Sequence, residues 1–318
     1  MTAQAQPLNV DSILPLLICP RSGETLHYSA EGLENSSGTS RYRISATGIP
    51  LFAEEFLSPE AAIQQEHYDQ VAEAYAANLE YPHTQEYMAY LDRVLREEMA
   101  GTDLAVCAEV CCGTGEAFAL FHNDIRKGVG VDISESMLAK AQDAFREQQL
   151  SFVQGDATLL PLGDNTFDTV IMLGGIHHVP DRDALFEQVF RVLKPGGVFI
   201  FREPVSDFWL WKFLRAIVYR LSPMLNHETE RPLTYEETVP VLDKAGFTDT
   251  SWRTCGFIGF CLFMNSDVLF VNRFFRFIPG IRGITRAFAR FDDWCTQRSL
   301  FKRAGLQVVG TARKPTTG

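Results

Sequence analysis

Residues 105–132 read AVCAEVCCGTGEAFALFHNDIRKGVGVD: an apolar strand, a glycine turn, a helix, and a second apolar strand ending on an acid. The turn is Glu109-Val-Cys-Cys-Gly113-Thr-Gly115 and the acid is Asp132. Only glycine lets backbone come close to a ligand at such a turn without a Cβ clash. An acid closing the next strand can accept hydrogen bonds from both ribose hydroxyls of a nucleoside. The window therefore sketches a nucleoside-cofactor site on a strand–turn–helix–strand unit.

The same window resembles the class I S-adenosylmethionine-dependent methyltransferases, whose turn has the form EVGCGTG. Glu109, Gly113 and Gly115 match it, and Cys111 stands where the first glycine is usual. A negative φ at Cys111 would let its Cβ be tolerated beside the methionine part of the cofactor. Further blocks follow in the family's order: Gly155-Asp156-Ala157, Leu160-Pro161-Leu162, Phe167-Asp168, Ile176-His177-His178-Val179-Pro180-Asp181 and Leu193-Lys194-Pro195-Gly196-Gly197. The likeness covers about residues 66–203. It implies S-adenosyl-L-methionine as cofactor, held by Glu109, Cys111, Gly113, Gly115, Asp132, Ile133, Asp156 and Ala157, with Asp156 at the adenine amino group. Tyr75, in the phrase YDQVAEAY, would cover the cofactor or pack beneath it. A nicotinamide-binding Rossmann domain would need Gly-x-Gly-x-x-Gly, and no third glycine stands at that spacing.

Alternation along the chain points to an α/β fold, with a parallel sheet and helices on both faces. Strands are expected near 105–110, 128–132, 150–155, 168–173, 197–202, 249–255 and 306–312, and helices near 115–122, 134–149 and 182–193. The resemblance makes this a Rossmann-like, doubly wound, seven-stranded sheet with one antiparallel member. Ser134 should cap the second helix, with Met137, Ala141 and Phe145 as its inward stripe. Thr234-Tyr-Glu-Glu237 reads as a capping box for a helix ending at Gly246.

Residues 1–56 read as a small β leader similar to the zinc ribbons found before some methyltransferase domains. Cys19 is the one candidate ligand, with Ser22, Asn35 and Gly38 at the other ligand places, so no metal is expected. Residues 57–100 read as a helical cap opening at Ser58-Pro59, and 101–318 as the methyltransferase domain. Two insertions interrupt that domain, at 204–232 and 256–305. The second holds ten phenylalanines, Trp294 and eight Lys/Arg against three acids. Within it Ile281, Ile284, Phe288, Phe291 and Cys295 follow helical spacing. Either the insertions are a helical subdomain with its own core, or they form a lid over a greasy substrate. The basic rim of such a lid is open to peripheral membrane contact.

With 29 Lys/Arg against 40 Asp/Glu the net charge is −11, which argues against a nucleic-acid partner. Seven cysteines show neither a disulfide framework nor zinc spacing, which fits a reducing cytoplasm. The stretch Ile13–Cys19 is too short for a signal or membrane-spanning helix. Oligomeric state is not legible.

Methyl transfer needs an acceptor aligned with the activated carbon, and a base where the acceptor carries a proton. His177 and His178 follow the fourth expected strand, at the edge where such sheets bind ligands. His178 is the base candidate, since similar methyltransferases turn the second histidine to substrate. Loop hydrogen bonding by both is the competing account. Glu203 and Arg202 end the fifth strand and could bind an acceptor hydroxyl or an anion. Trp209, His227 and Phe260 complete a substrate set drawn from the insertions. The expected acceptor is a small apolar metabolite (a quinone, isoprenoid, polyketide or lipid) methylated on oxygen or carbon. An rRNA or tRNA base methyltransferase, suggested by the ribbon-like leader, is one alternative. A non-catalytic cofactor-binding partner subunit is the other.

Overall fold

In the computed structural model, residues 12–53, 80–213, 231–264 and 272–316 are described. Tyr75, His227, the Ser58-Pro59 helix start and most of the first insertion lie outside them.

Seven strands form the main sheet: β4 (Val106–Val110), β5 (Lys127–Asp132), β6 (Leu150–Gln154), β7 (Phe167–Leu173), β8 (Leu193–Pro204), β9 (Thr248–Cys255) and β10 (Gln307–Arg313). Their spatial order is β6-β5-β4-β7-β8-β10-β9. β10 runs antiparallel to both β8 and β9, while the β6-β5-β4-β7-β8 pairings are parallel. The order reverses between β4 and β7, so the carboxyl ends of those two strands flank the crevice in which open α/β sheets bind ligands.

Each central strand is apolar on both faces, as a sheet covered on two sides requires. Ala108, Val170 and Phe199 join one core layer with helix α4 (Arg182–Val192) and helix α5 (Tyr235–Ala245). Cys107, Ile171 and Ile200 point the other way, onto helices α1 (Pro82–Glu98), α2 (Glu116–Phe121) and α3 (Glu135–Ala144). The leader, a three-stranded sheet of β1 (Leu26–Ser29), β2 (Gly32–Asn35) and β3 (Arg41–Tyr42), belongs to the first layer. Leu17, Cys19, Leu33 and Tyr42 are buried there beside Val110 and Leu162. Backbone bonds tie it down: Ile18 N–H donates to Pro161 O at 3.1 Å, and Phe52 N–H to Gln154 O at 2.9 Å.

Within the leader, Asn35 is fully buried and acts as a polar hub. Its amide nitrogen faces Ser22, Ser37 and Thr39 hydroxyls at 3.0–3.2 Å, and the Glu24 carboxylate. Its Oδ1 accepts from Ser40 N–H at 2.8 Å. The Cys19 thiol lies 3.1 Å from the Tyr42 hydroxyl.

Three local expectations change. Ser134 does cap α3, accepting from Met137 N–H at 3.4 Å, but the buried stripe is Leu138 and Ala141, with Phe145 at the helix end. Met137 is exposed, because spacings of three and of four both satisfy helical periodicity, and here the former faces the core. Thr234 makes no side-chain cap; Tyr235 N–H instead donates to Asp207 Oδ1 at 2.7 Å, and Glu237 pairs with Arg231. In the second insertion, Ile281, Thr285, Ala289, Asp292 and Cys295 form the buried face of helix α7 (Ile281–Thr296), and Ile284 and Phe291 are exposed.

Asp292 explains that rotation. It is fully buried and accepts from the Phe257, Gly259 and Phe260 amides at 2.9, 3.1 and 3.1 Å, at the start of helix α6 (Ile258–Phe263). It also accepts from the Tyr87 hydroxyl of α1. One side chain thus joins α1, α6 and α7. Asp292→Ala should orphan these donors and cost about 2–4 kcal/mol, while Tyr87→Phe costs about 1–2. Urea unfolding of each variant would check this; an unchanged midpoint for Asp292→Ala would remove the carboxylate as the joint.

Candidate active site

The turn after β4 is held from below. Glu109 is buried, and its carboxylate accepts from Ala117 N–H at 2.8 Å and Phe118 N–H at 3.1 Å, at the start of α2. Burial pushes its carboxyl up to about 8, against the pull of those two amides. Expected among the cofactor ligands, Glu109 instead braces the turn, because α2 begins with amides that have no intrahelical partner.

Gly113 and Gly115 take φ of +51° and +86°. A Cβ on Gly115 would lie 2.6 Å from the Phe145 ring, so glycine is required there by packing. A Cβ on Gly113 would meet only the Met137 Cε, at 3.8 Å. That side of the turn is an open cradle with Met137 leaning over it. The sequence reading placed Met137 in the core and so missed it as a neighbour of the site.

Asp132 closes β5 beside this cradle. Its Oδ2 accepts from Gly113 N–H at 2.8 Å and its Oδ1 from Ser134 N–H at 2.9 Å. A carboxylate offers about four acceptor directions, the chemistry that the two hydroxyls of a ribose require. Gly155 N–H donates to Asp132 O at 2.9 Å, which places the neighbouring Asp156 at the same edge. Asp156 is exposed, and Thr158 donates to its Oδ1 from both backbone and hydroxyl, at 2.8 and 2.7 Å. Ile133 and Ala157 follow the two acids and are half-buried. The open turn and two acids at successive strand ends match the shape and donor pattern of a nucleoside bound through its sugar and base.

Cys111 departs from expectation: its φ is +53°, in the left-handed region. A non-glycine residue there carries roughly 1–2 kcal/mol of strain. Its side chain fills the space over Gly175, whose Cβ would lie 2.5 Å from Cys111 Cβ. Burial, then the carboxylates of Asp132, Glu203 and Asp156, push its thiol well above the ordinary value. Cys111 thus marks where the cofactor acids and the turn after β7 come together.

That turn, Ile176–His178, is fixed by Glu203 from β8. Glu203 is fully buried, and Oε1 accepts from Gly175 N–H at 2.7 Å and Ile176 N–H at 2.8 Å. Its Oε2 lies 2.7 Å from His177 Nδ1 and 3.4 Å from His177 N. Four partners leave this carboxylate no room for an acceptor hydroxyl, so Glu203 positions the turn and the His177 ring. A bond from Nδ1–H to Glu203 sets the tautomer that leaves Nε2 as an acceptor. The His178 ring lies 3.8 Å from that of His177, centroid to centroid.

The remaining predicted residues sit elsewhere. Arg202 is buried between Asp92, at 2.9 Å, and Glu116, a bridge from β8 to α1 and α2 rather than an anion site. Alternation along β8 sends Arg202 and Glu203 to opposite faces. Phe260 packs edge-on against Tyr87, ring centroids 6.0 Å apart, inside the helical subdomain. Trp209 is 68% exposed, with its ring beside Phe208. Among the described residues no group of three or more His, Cys, Asp or Glu could hold a metal. Nor is any described helix long and apolar enough to cross a membrane.

Two variants test this geometry. Asp132→Ala should weaken S-adenosylmethionine binding by about 1.5–3 kcal/mol, the range for hydrogen bonds to a charged group. Calorimetry finding wild-type affinity would remove Asp132 from the site. Gly175→Ala should destabilise the fold by about 1–3 kcal/mol through overpacking, and Cys111→Gly should rescue it in the double variant. Additive losses in the thermal midpoints would show that the two residues do not compete for space.

Residues 108–201 match a family model described as a methyltransferase domain. Demethylmenaquinone methyltransferase of Lactiplantibacillus plantarum is 27% identical over 188 residues, covering 51% of this chain and 79% of that protein. The enzyme of the same description from Shouchella clausii is 41% identical over 95 residues, which is 28% of this chain and 40% of that protein. Among solved structures, phosphoethanolamine N-methyltransferase 2 of Haemonchus contortus, bound to S-adenosylhomocysteine, superposes with a TM-score of 0.53 at 17% identity, over 82% of this chain and 61% of that one. A methyltransferase from Thermotoga maritima superposes with a TM-score of 0.51 at 19% identity, over 78% and 99%. Those two likenesses show the fold; the matched domain and the methyltransferase relatives carry the activity. With its methyltransferase domain matched over residues 108–201, the chain is an S-adenosylmethionine-dependent methyltransferase.

Proposed function

We propose that the chain methylates a small, quinone-like hydroxylated ring, with His177 rather than His178 as the base. The observation that carries the reading is the 2.7 Å contact between His177 Nδ1 and the buried Glu203 carboxylate. It sits beside Cys111, whose surroundings include the acids of the cofactor edge. Relatives described as demethylmenaquinone methyltransferases support a quinone-like acceptor.

S-adenosylmethionine, when bound, supplies the electrophilic methyl group. The protein's part is to hold the acceptor in line and take up a proton. With Nδ1–H donated to Glu203, Nε2 of His177 accepts the acceptor hydroxyl proton, and Glu203 stabilises the imidazolium that forms. Loss of that proton raises electron density on the ring oxygen and on the carbons beside it, so either can attack the methyl group. In either case the new bond to the methyl carbon would form as that carbon's bond to sulfur breaks and S-adenosylhomocysteine leaves; after attack by carbon, the ring proton there would pass to water.

The test is label transfer from S-adenosylmethionine to a demethylmenaquinol with a short isoprenoid tail. His177→Gly should lower kcat by about 100-fold or more, the scale of general-base catalysis, with cofactor affinity near wild type. Added imidazole should restore part of the rate. Glu203→Gln should lower kcat with KM little changed. If His178→Gly shows the loss and the imidazole rescue instead, the base assignment is wrong. If wild-type protein does not turn the quinol over, the acceptor class is wrong.

A further inference from the structure

We infer that the outer face of α7 and the turns beside it form a docking surface for an anionic lipid bilayer. The apolar arc of α7 is wider than its buried face. Beyond the buried stripe, Ile284, Phe291 and Trp294 recur at intervals of seven and three residues, followed by Arg298 at four. At 100° per residue the three apolar positions fall within a sector of about 80° on the helix, and Arg298 lies just past its end at Thr296. The three apolar ones are 42%, 44% and 55% exposed. Phe291 and Trp294 are stacked with centroids 6.3 Å apart, and the Arg298 guanidinium lies 4.8 Å above the Trp294 ring. Before the helix, Phe277 is 69% exposed and carries Arg276 over its ring at 4.7 Å.

Charge decides which partner this surface fits. The chain carries −11 overall, yet this segment holds a local excess of arginine. Of its described acids, Asp292 is buried and Asp293 is paired with Arg253 at 3.2 Å. Among the described residues Arg273, Arg276, Arg290 and Arg298 meet no carboxylate, while Arg286 and Arg303 do. Exposed aromatic rings topped by unneutralised guanidinium groups match the level of lipid headgroups, where rings enter the acyl boundary and cations meet phosphates. A soluble anion such as nucleic acid offers the arginines a partner but gives the apolar stripe no apolar phase to enter. This inference is independent of the acceptor: it concerns α7, not the turn after β7.

The full chain should co-sediment with vesicles of phosphatidylglycerol and phosphatidylcholine, and bind pure phosphatidylcholine at least about tenfold more weakly, from the loss of several basic contacts. Adding salt should weaken the former. Trp294→Ser with Phe291→Ser should weaken binding severalfold at every salt concentration, whereas Arg276→Glu with Arg298→Glu should remove mainly the salt-dependent part. Circular dichroism and cofactor affinity should stay at wild-type values in all variants, since these side chains are exposed. No binding to the anionic vesicles, or binding indifferent to both pairs of substitutions, would overturn the inference. So would a concentration-dependent dimer that the Trp294→Ser, Phe291→Ser protein no longer forms, which would assign the face to a second copy of the chain.

Discussion

Backbone amides that begin a helix or line a tight turn need acceptors, and in this protein four carboxylates supply them. Glu109 takes the first amides of α2, Asp132 the amide of Gly113, Glu203 those of Gly175 and Ile176, and Asp292 those at the start of α6. An amide buried without a partner costs about 1–3 kcal/mol, so each acid fixes the course of the chain as well as a charge. Three of the four surround the candidate active site. The site is therefore built on turns that cannot readily shift, which catalysis by alignment requires.

Those turns meet at Cys111. Its left-handed backbone is strained, and its side chain lies where any residue larger than glycine at 175 would have to go. The cofactor turn and the His177 turn are consequently interlocked: one glycine is missing from the first and one glycine is needed in the second. Strain at such a position persists only when the surroundings over-determine it. Here the Asp132 clamp on one side and the Glu203 clamp on the other do so.

Outside the site, polar groups do comparable work where apolar contact alone would leave the packing unspecified. Asn35 gathers the loops of the leader, and Asp292 with Tyr87 sets the rotation of α7 against α1. With Asp292 directed inward, the helix presents its other apolar stripe outward, so the exposed aromatic face follows from the same bond that anchors the subdomain. The leader, for its part, buries Leu17, Leu33 and Tyr42 in the main core and extends that core rather than standing beside it.

Strand positions, the glycine turn, the strand-end positions of Asp132 and Asp156 and the place of the histidine pair after the fourth strand were legible in the sequence, because local periodicity and steric need act over a few residues. All seven strands of the main sheet lie within a few residues of the positions expected from hydrophobic runs. What the sequence could not decide was which side of an element each polar group faces. Glu109 and Glu203 look like ligands in the sequence and serve as buried acceptors, since the unsatisfied amides they serve come from residues 8 to 28 positions away. Arg202 and Glu203 are neighbours with opposite destinations, because strand pleating separates them and only the packed helices reveal which face holds α1. Met137 and Ile284 fit a buried stripe as well as their neighbours do, and the choice fell to contacts distant in sequence. Periodicity is a property of the chain alone. Orientation is a property of the donors, acceptors and apolar surfaces that the rest of the fold brings against it.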